Sequence, residues 1–278
     1  MSAGPLVSAI VPTRNAADSL RACLESLTRQ SYPYLEILVV DNHSTDATLD
    51  IAHALTPLVY TRGPERSAQR NAGARAAHGS YLVFLDSDMV LDPTVIERCV
   101  QKMLADAATK GIIIPERSVG EGFWAHCKAL ERSCYVGDDS IEAARFFDRA
   151  AFDAVGGYDE TLTAAEDWDL SHRVAQIGSL GRINAYITHL EGRLTLQETI
   201  RSKFYYGRTL GRYVRKQPGK AVRQLQLVRP AFVRHWRWLL AHPVVTAGMV
   251  VMKTCEFAAG GAGLALASYE RGRTSSPT

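Results

Sequence analysis

The stretch Tyr81-Leu-Val-Phe-Leu-Asp-Ser-Asp-Met89 is an apolar run that ends on two carboxylates. A run that is apolar on both faces belongs in the middle of a parallel sheet. Ionised groups are costly to bury unpaired, so the two aspartates mark the end where the strand leaves the core. In open α/β sheets that carboxyl end is where ligands bind.

Working outward, the same grammar repeats. Leu6 to Val11 reads as a strand ending at Pro12, and Asp18 to Gln30 as a helix with Leu20, Cys23, Leu24 and Leu27 at helical spacing. Glu36 to Val40 is a second buried strand, followed by a helix capped by Ser44 or Thr45 and running to about Leu55. Leu58 to Tyr60 is a short strand, and Ser67 to Ala77 a small-residue helix stopped by Gly79. Asp92-Pro93 reads as an N-cap with proline at the first helical position, starting a helix over Thr94 to Leu104. This alternation predicts an α/β fold whose central, mostly parallel sheet is covered by helices on both faces.

Composition agrees. The chain has 278 residues, 46% hydrophobic and 22% charged, which are globular proportions and exclude wholesale disorder, a collagen or a polytopic membrane protein. Its 5 cysteines show no Cys-x-x-Cys spacing, so neither a zinc cluster nor a disulfide framework is expected, and a reducing cytosol is. The first residues carry no basic segment of the kind that opens a signal peptide.

The net charge of +3 conceals a split. Residues 1–200 hold 18 Lys and Arg against 27 Asp and Glu, a net of −9, whereas residues 201–278 hold 14 against 2, a net of +12. Two regions with different surroundings are expected, an acidic one over 1–200 and a basic helical one over 201–278.

Two clusters carry chemistry. In Leu85-Asp-Ser-Asp-Met89, carboxylates at i and i+2 suit a hard divalent cation that shares its shell with phosphate oxygens. Alone, Asp-x-Asp equally describes an aspartate-rich turn. In Ala165-Glu-Asp-Trp-Asp-Leu170, three carboxylates fall within four residues at a helix start. Like charges crowd there at a cost unless they face different partners, and the helix dipole also favours them. The preceding Gly156-Gly-Tyr-Asp-Glu160 is a glycine turn that either closes a loop or lets backbone approach a ligand.

Taken together, the series resembles the inverting glycosyltransferases of family 2, with the GT-A nucleotide-diphospho-sugar transferase fold. In order it comprises Ile10-Val-Pro-Thr-Arg-Asn15, Val39-Val-Asp-Asn-His-Ser-Thr-Asp46, Arg66-Ser-Ala-Gln-Arg-Asn-Ala-Gly73, Ala76-Ala-His-Gly-Ser-Tyr81, Leu85-Asp-Ser-Asp88, Gly156-Gly-Tyr-Asp-Glu160, Glu166-Asp-Trp-Asp-Leu170 and His189. The resemblance covers about the first 200 residues of the 278 and implies a catalytic domain over 1–200, with a nucleotide-sugar half over 1–110 and an acceptor half over 111–200. It implies a nucleotide-sugar donor held by Pro12, Thr13, Arg14, Asp41, Arg66, Arg70, Asp86 and Ser87. It implies Mn²⁺ or Mg²⁺ on Asp88 with His189, and with Asp86 beside them. His189 is expected just after a strand over Ile183 to Thr188. Asp167 would be the catalytic base, and Gly156, Gly157, Glu166 and Trp168 would shape the acceptor side.

Residues 201–278 lie outside the resemblance. Aromatic and basic residues interleave in Phe204-Tyr-Tyr-Gly-Arg208, Arg212-Tyr-Val-Arg-Lys216 and Pro230 to Leu240. Two short apolar runs follow, Pro243 to Met252 and Phe257 to Tyr269, separated by Lys253 and Glu256. Basic residues with Trp and Tyr beside apolar helices predict a segment lying in a membrane interface. The competing reading is a helical cap whose apolar face packs inward. The sequence therefore predicts a cytosolic glycosyltransferase attached to the inner face of a membrane, with a lipid-linked or membrane-proximal acceptor. The rival readings are a polyprenyl-phosphate sugar transferase and a non-catalytic sugar-nucleotide-binding scaffold. No nucleic acid partner is expected, because no recognised binding module is present.

Overall fold

The computed structural model describes residues 4–139, 141–219 and 229–274. Residues 220–228 and 275–278 of the basic region lie outside the described residues. In chain order the elements are β1 (Val7–Thr13), α1 (Leu20–Thr28), β2 (Leu35–Asp41), α2 (Thr48–Leu55), β3 (Val59–Thr61), α3 (Arg66–Ala76), β4 (Tyr81–Phe84), β5 (Met89–Leu91) and α4 (Val95–Ala105). There follow β6 (Thr109–Ile113), β7 (Glu116–Glu121), α5 (Phe123–Ser133), β8 (Ala144–Asp148), α6 (Arg149–Ala154), α7 (Glu166–Val174), β9 (Ser179–Arg182) and β10 (Ile187–Arg193). The chain ends with α8 (Leu196–Lys216), α9 (Pro230–Arg234), α10 (Trp236–Ala241) and α11 (Pro243–Thr274).

The chain divides into two compact units. The first comprises residues 1–117, 142–160 and 167–190. Its sheet runs β3-β2-β1-β4-β8-β6-β9, with β1–β2, β1–β4, β2–β3 and β6–β9 parallel and β8 antiparallel to both neighbours. The sheet alternates at period two. Val7, Ala9 and Val11 face one cluster with Leu20, Leu24, Val83 and Ile96, while Ile10, Leu38, Val40, Leu82 and Phe84 face another with Phe147, Phe152 and Leu170. The predicted α/β architecture with helices on both faces is the one observed.

Three local expectations are corrected. Asp92 does not cap α4: its carboxylate takes Arg117 Nη2 at 2.8 Å and Tyr186 N at 3.0 Å, so the helix starts at Val95 after Thr94. Neither Ser44 nor Thr45 caps α2. Ser44 Oγ donates to Asp41 Oδ1 and Thr45 N to Asn15 Oδ1, while Asp46 Oδ1 accepts from Thr48 N. His189 does not follow a strand but lies inside β10, paired opposite Met89.

The second unit comprises residues 118–141, 161–166 and 191–278. Its core holds Cys127, Leu130, Cys134, Tyr135, Ala231, Leu239, Met249 and Met252. The two apolar runs read from the sequence form one continuous helix, α11, which packs on α5 and α8. The charges between them are buried: Lys253 Nζ meets Glu256 Oε2 at 2.7 Å and Glu131 Oε1 at 2.8 Å, and Lys128 Nζ meets Glu131 Oε2 at 3.2 Å. Burial works against the Glu131 carboxylate, but Lys128 and Lys253 more than offset it and hold it below the usual range.

Helix α3 sits on β1 through Gly73, where an added Cβ would meet Ile10 Cγ2 at 2.5 Å and Val40 Cγ2 at 3.1 Å. Gly73→Ala gains about 1 kcal/mol of helix propensity. It should still lose stability, by about 1–3 kcal/mol, because the helix must lift from the sheet. Urea unfolding of the variant against wild type checks the sign.

Candidate functional site

The first unit gathers its charged side chains at the carboxyl ends of β1, β2 and β4. Pro12 and Thr13 are buried at the end of β1, and Arg14 beyond them is exposed. Asp41, fully buried at the end of β2, accepts from Thr13 Oγ1 at 3.0 Å, Ser44 Oγ at 2.5 Å and Ser44 N at 2.8 Å. Gln69 Nε2 donates to Thr13 O at 2.9 Å and Val40 O at 2.6 Å, tying α3 to both strand ends.

Arg70, one turn further along α3 than Arg66, is the centre of the cluster. Its side chain has no exposure. Nη2 lies 2.7 Å from Asp86 Oδ1 and Nη1 lies 3.0 Å from Asp167 Oδ1, so one guanidinium bridges the two sequence clusters. The guanidinium carbon stands 5.0 Å from the centre of the Tyr158 ring, which packs edge-on against Phe84. Asn71 Oδ1 accepts from Tyr158 N at 2.9 Å and Asn71 Nδ2 donates to Tyr158 O at 2.9 Å. The Gly156-Gly157 turn makes room for this clamp, with φ of +80 and +67, and a Cβ on Gly157 would reach Asn71 Oδ1 at 2.7 Å.

Two further residues, absent from the sequence reading, complete the network. Arg145 falls where the β6–β8 register shifts, since Ile112 pairs with Phe146 and Ile113 with Ala144. A bulge re-aims the extra side chain. Arg145 pairs tightly with Glu116, and its Nη2 and Nη1 stand 3.9 Å from Asp86 Oδ2 and Asp167 Oδ2. Glu116 Oε2 lies 3.2 Å from His189 Nε2, and His189 Nδ1 lies 3.7 Å from Asp88 Oδ1. The β5–β10 register sets this last contact by pairing His189 with Met89, and Leu190 N donates to Asp88 O at 2.8 Å. An arginine inside the apolar run Ala144-Arg-Phe-Phe147 was the available signal for Arg145, since a buried guanidinium needs carboxylates. Glu116, just beyond Ile112-Ile-Ile-Pro115, left no comparable mark.

The structure thus brings Arg66, Arg70, Asp86, Asp88, Asp167 and His189 into one cluster. Arg66 stands at its rim, 3.9 Å from Asp86. Asp86, assigned to both donor and metal by sequence, is engaged by three guanidiniums, whereas Asp88 Oδ1 is shielded from solvent and accepts no hydrogen bond. Ser87 is partly buried between them, Trp168 is partly buried, and Glu166 is buried at the first position of α7. Burial alone would raise the Asp86 carboxyl; Arg70 foremost, then Arg66, Arg145 and His189, outweigh it and hold it well below the usual range. Burial would likewise lower Arg145, and Glu116, Asp167 and Asp86 keep it charged.

A carboxylate depressed in the folded state stabilises above its unfolded pKa, and that stability drains away as pH falls through the folded value. Asp86→Asn should therefore cost about 3 kcal/mol at pH 7. The gap from wild type should narrow as pH drops from ~4 toward 2. Urea unfolding of both proteins across that range measures it.

Residues 8–156, more than half of the 278, match the sequence model of Glycosyl transferase family 2. A PGL/p-HBAD biosynthesis glycosyltransferase of Mycobacterium tuberculosis is 30% identical over 181 residues, covering 62% of this chain and 70% of that protein. A chondroitin synthase of Escherichia coli is 25% identical over 191 residues, covering 65% of this chain and only 28% of the synthase. Among solved structures, a mannosyltransferase from Pyrobaculum calidifontis in complex with GDP-Man and Mn²⁺ aligns with a TM-score of 0.60 at 19% identity, covering 96% of this chain and 76% of its own. Residues 1–349 of TarS from S. aureus, in complex with UDP, align with a TM-score of 0.56 at 18% identity, covering 96% and 92%. These likenesses place the fold among the GT-A glycosyltransferases.

Proposed function

The chain belongs to glycosyl transferase family 2 and is a glycosyltransferase, and from that premise we propose a donor, a metal and an acceptor. The donor is a UDP-sugar, the metal Mn²⁺ or Mg²⁺, and the acceptor a hydroxyl on a lipid-linked or membrane-proximal glycan, attacked with inversion. The enzyme works in the cytosol, attached through its basic C-terminal region to the inner face of the membrane. The relatives' descriptions support a nucleotide-diphospho-sugar, with UDP in one and GDP-Man in another.

The observation that carries the metal is Asp88. Its Oδ1 is buried with no hydrogen-bond partner among the described residues, and it faces His189 Nδ1 across 3.7 Å. The other ring nitrogen of His189 is held by Glu116 at 3.2 Å, the outer-shell arrangement that orients a ligating imidazole. Among the described residues no group of three or more His, Cys, Asp or Glu could hold an ion. A carboxylate and an imidazole therefore suit a cation that takes its remaining oxygens from a diphosphate. When bound, the cation supplies Lewis-acid neutralisation of the departing nucleoside diphosphate. Asp86 serves the donor through its arginines: it anchors Arg66 and Arg70 beside the nucleotide.

Asp167 serves the acceptor. Arg70 holds its Oδ1 at 3.0 Å, Arg145 Nη1 stands 3.9 Å from its Oδ2, and the side chain is 23% exposed. The two guanidiniums hold the carboxylate in place, so Oδ2 can take a proton from the attacking hydroxyl. Ser171 Oγ fixes the base of α7 by donating to Asp167 O at 2.8 Å and accepting from Ala144 N at 2.9 Å.

Calorimetry should show UDP binding that needs Mn²⁺. Asp88→Ala should weaken the metal-dependent part and Asp167→Asn should spare it. Equal UDP affinity after exhaustive chelation removes the metal role, and tighter GDP binding moves the donor assignment.

Asp167→Asn keeps the acceptor for Arg70 but not the basicity, and should lower kcat by about 10²–10⁴. Single-turnover transfer assays read this step directly. Near-normal kcat would identify an acceptor that needs no base, as in a polyprenyl-phosphate sugar transferase.

A further inference from the structure

A helix on the surface of a soluble protein turns charge outward and apolar groups inward. Helix α11 does the opposite. Its outward positions, Val244, Val251, Ala258, Ala262, Leu266 and Tyr269, recur at helical spacing and are all exposed and uncharged. From Pro243 to Tyr269 its only charges are Lys253 and Glu256, and both point inward, 7% and 4% exposed. They are neutralised there by Glu131 and Lys128. The exposed apolar surface continues onto α9 and α10 through Val233, Trp236, Trp238 and Leu240. Arg234 and Arg237 stand exposed between them.

We infer that this outward face of α10 and α11 is embedded in an anionic lipid surface, with α11 lying along the interface rather than crossing the bilayer. The inference rests on the membrane attachment proposed above and specifies its geometry. Charge selects the occupant. The flanking exposed residues include Arg201, Arg208, Arg215, Arg234 and Arg237, which complement lipid phosphates. A second copy of the chain docked on the same face would set these arginines against their own kind.

Length alone permits crossing. Pro243–Glu270 is a candidate span of 28 residues. At ~1.5 Å per residue it is ~42 Å long, against a hydrocarbon core of ~30 Å. Packing forbids it. Helix α8 lies against α11 at close approach, since a Cβ on Gly207 would strike Gly260 O and one on Gly263 would strike Phe204 O. Arg208 of α8 also pairs with Glu270 at 2.9 Å. A crossing α11 would carry Arg201 and Arg208, both exposed on α8, into hydrocarbon. A helix lying flat keeps them level with the headgroups, where Trp236 and Trp238 also belong.

The test uses the full-length protein and preformed vesicles of phosphatidylglycerol and phosphatidylcholine. In a Cys255→Ser background, single cysteines at Val244, Ala258 and Tyr269 carry a nitrobenzoxadiazole label, quenched by lipids bearing nitroxides at graded depth. Equal, shallow depth at all three sites is the expected result. A deep Ala258 label between shallow ends overturns the flat placement in favour of crossing. Vesicle flotation without any change at the three labels overturns the role of this face while leaving membrane attachment standing. Failure of the wild type to float at low salt removes the attachment itself. Self-association by sedimentation, with no flotation, assigns the face to a second copy. Val251→Asp with Ala258→Asp, at exposed positions, should reduce the vesicle-bound partition at least about tenfold with unfolding unchanged.

Discussion

The first unit is organised around a charge that water cannot reach. Arg70 has no exposed surface and is always protonated, so it must be answered by carboxylates from the protein. Asp86 and Asp167 answer it, at 2.7 and 3.0 Å. Removing one of a buried pair costs more than the pair contributes, because the survivor is left unpaired in low dielectric. This constraint makes α3, the end of β4 and the start of α7 mutually dependent. Gly73 lets α3 sit close enough to the sheet for Arg70 to reach, and the Tyr158 ring closes the apolar side.

Charge then propagates outward in alternating sign. Arg145 stands near both Asp86 and Asp167 and is paired with Glu116, which reaches His189, which faces Asp88. In the proposed chemistry the two ends do different work. Asp167 meets the acceptor, and Asp88 with His189 meets the cation on the donor. Arg70 and Arg145, the links between the two ends, are buried and paired with carboxylates. Such fixed geometry suits the proposed reaction, in which nucleophile, sugar and leaving group must be aligned at once.

Much of this was legible in one dimension, for physical reasons. Strand and helix periods follow from which faces are buried, so β1, β2, β4 and α1 could be read from Val, Ile and Leu spacing within a residue or two, and α3 from its run of small residues before Gly79. What failed were ends decided by competition for a side chain. Asp92 has the composition of a cap but is claimed by Arg117 and Tyr186, and Ser44 is claimed by Asp41. Arg66, Arg70, Asp86, Asp88, Asp167 and His189 stood out because they sit in recognisable series, and the structure gathers them into one cluster. Arg145 and Glu116 were missed because their roles depend on a register shift between two strands, which no local pattern encodes. The bridge from Arg70 to Asp167 spans 97 positions and was likewise invisible.

The second unit shows the same electrostatics used for a different end. In sequence Lys253 and Glu256 interrupt two apolar runs, at an i, i+3 spacing that lets them pair on one helix face. Folded, they lie on the inner side of one helix, where Lys128 and Glu131 pair with them and Lys203 stands near all four. Burying such charges is expensive, and hydrophobic residues of similar volume are often as stable or more so. Their value lies in orientation. A helix apolar all round has many ways to rotate against its neighbours, whereas one with two inward charges has a single azimuth that satisfies them. The ion group thereby dictates which residues α11 turns outward, and so it defines the uncharged face that the enzyme would offer to lipid.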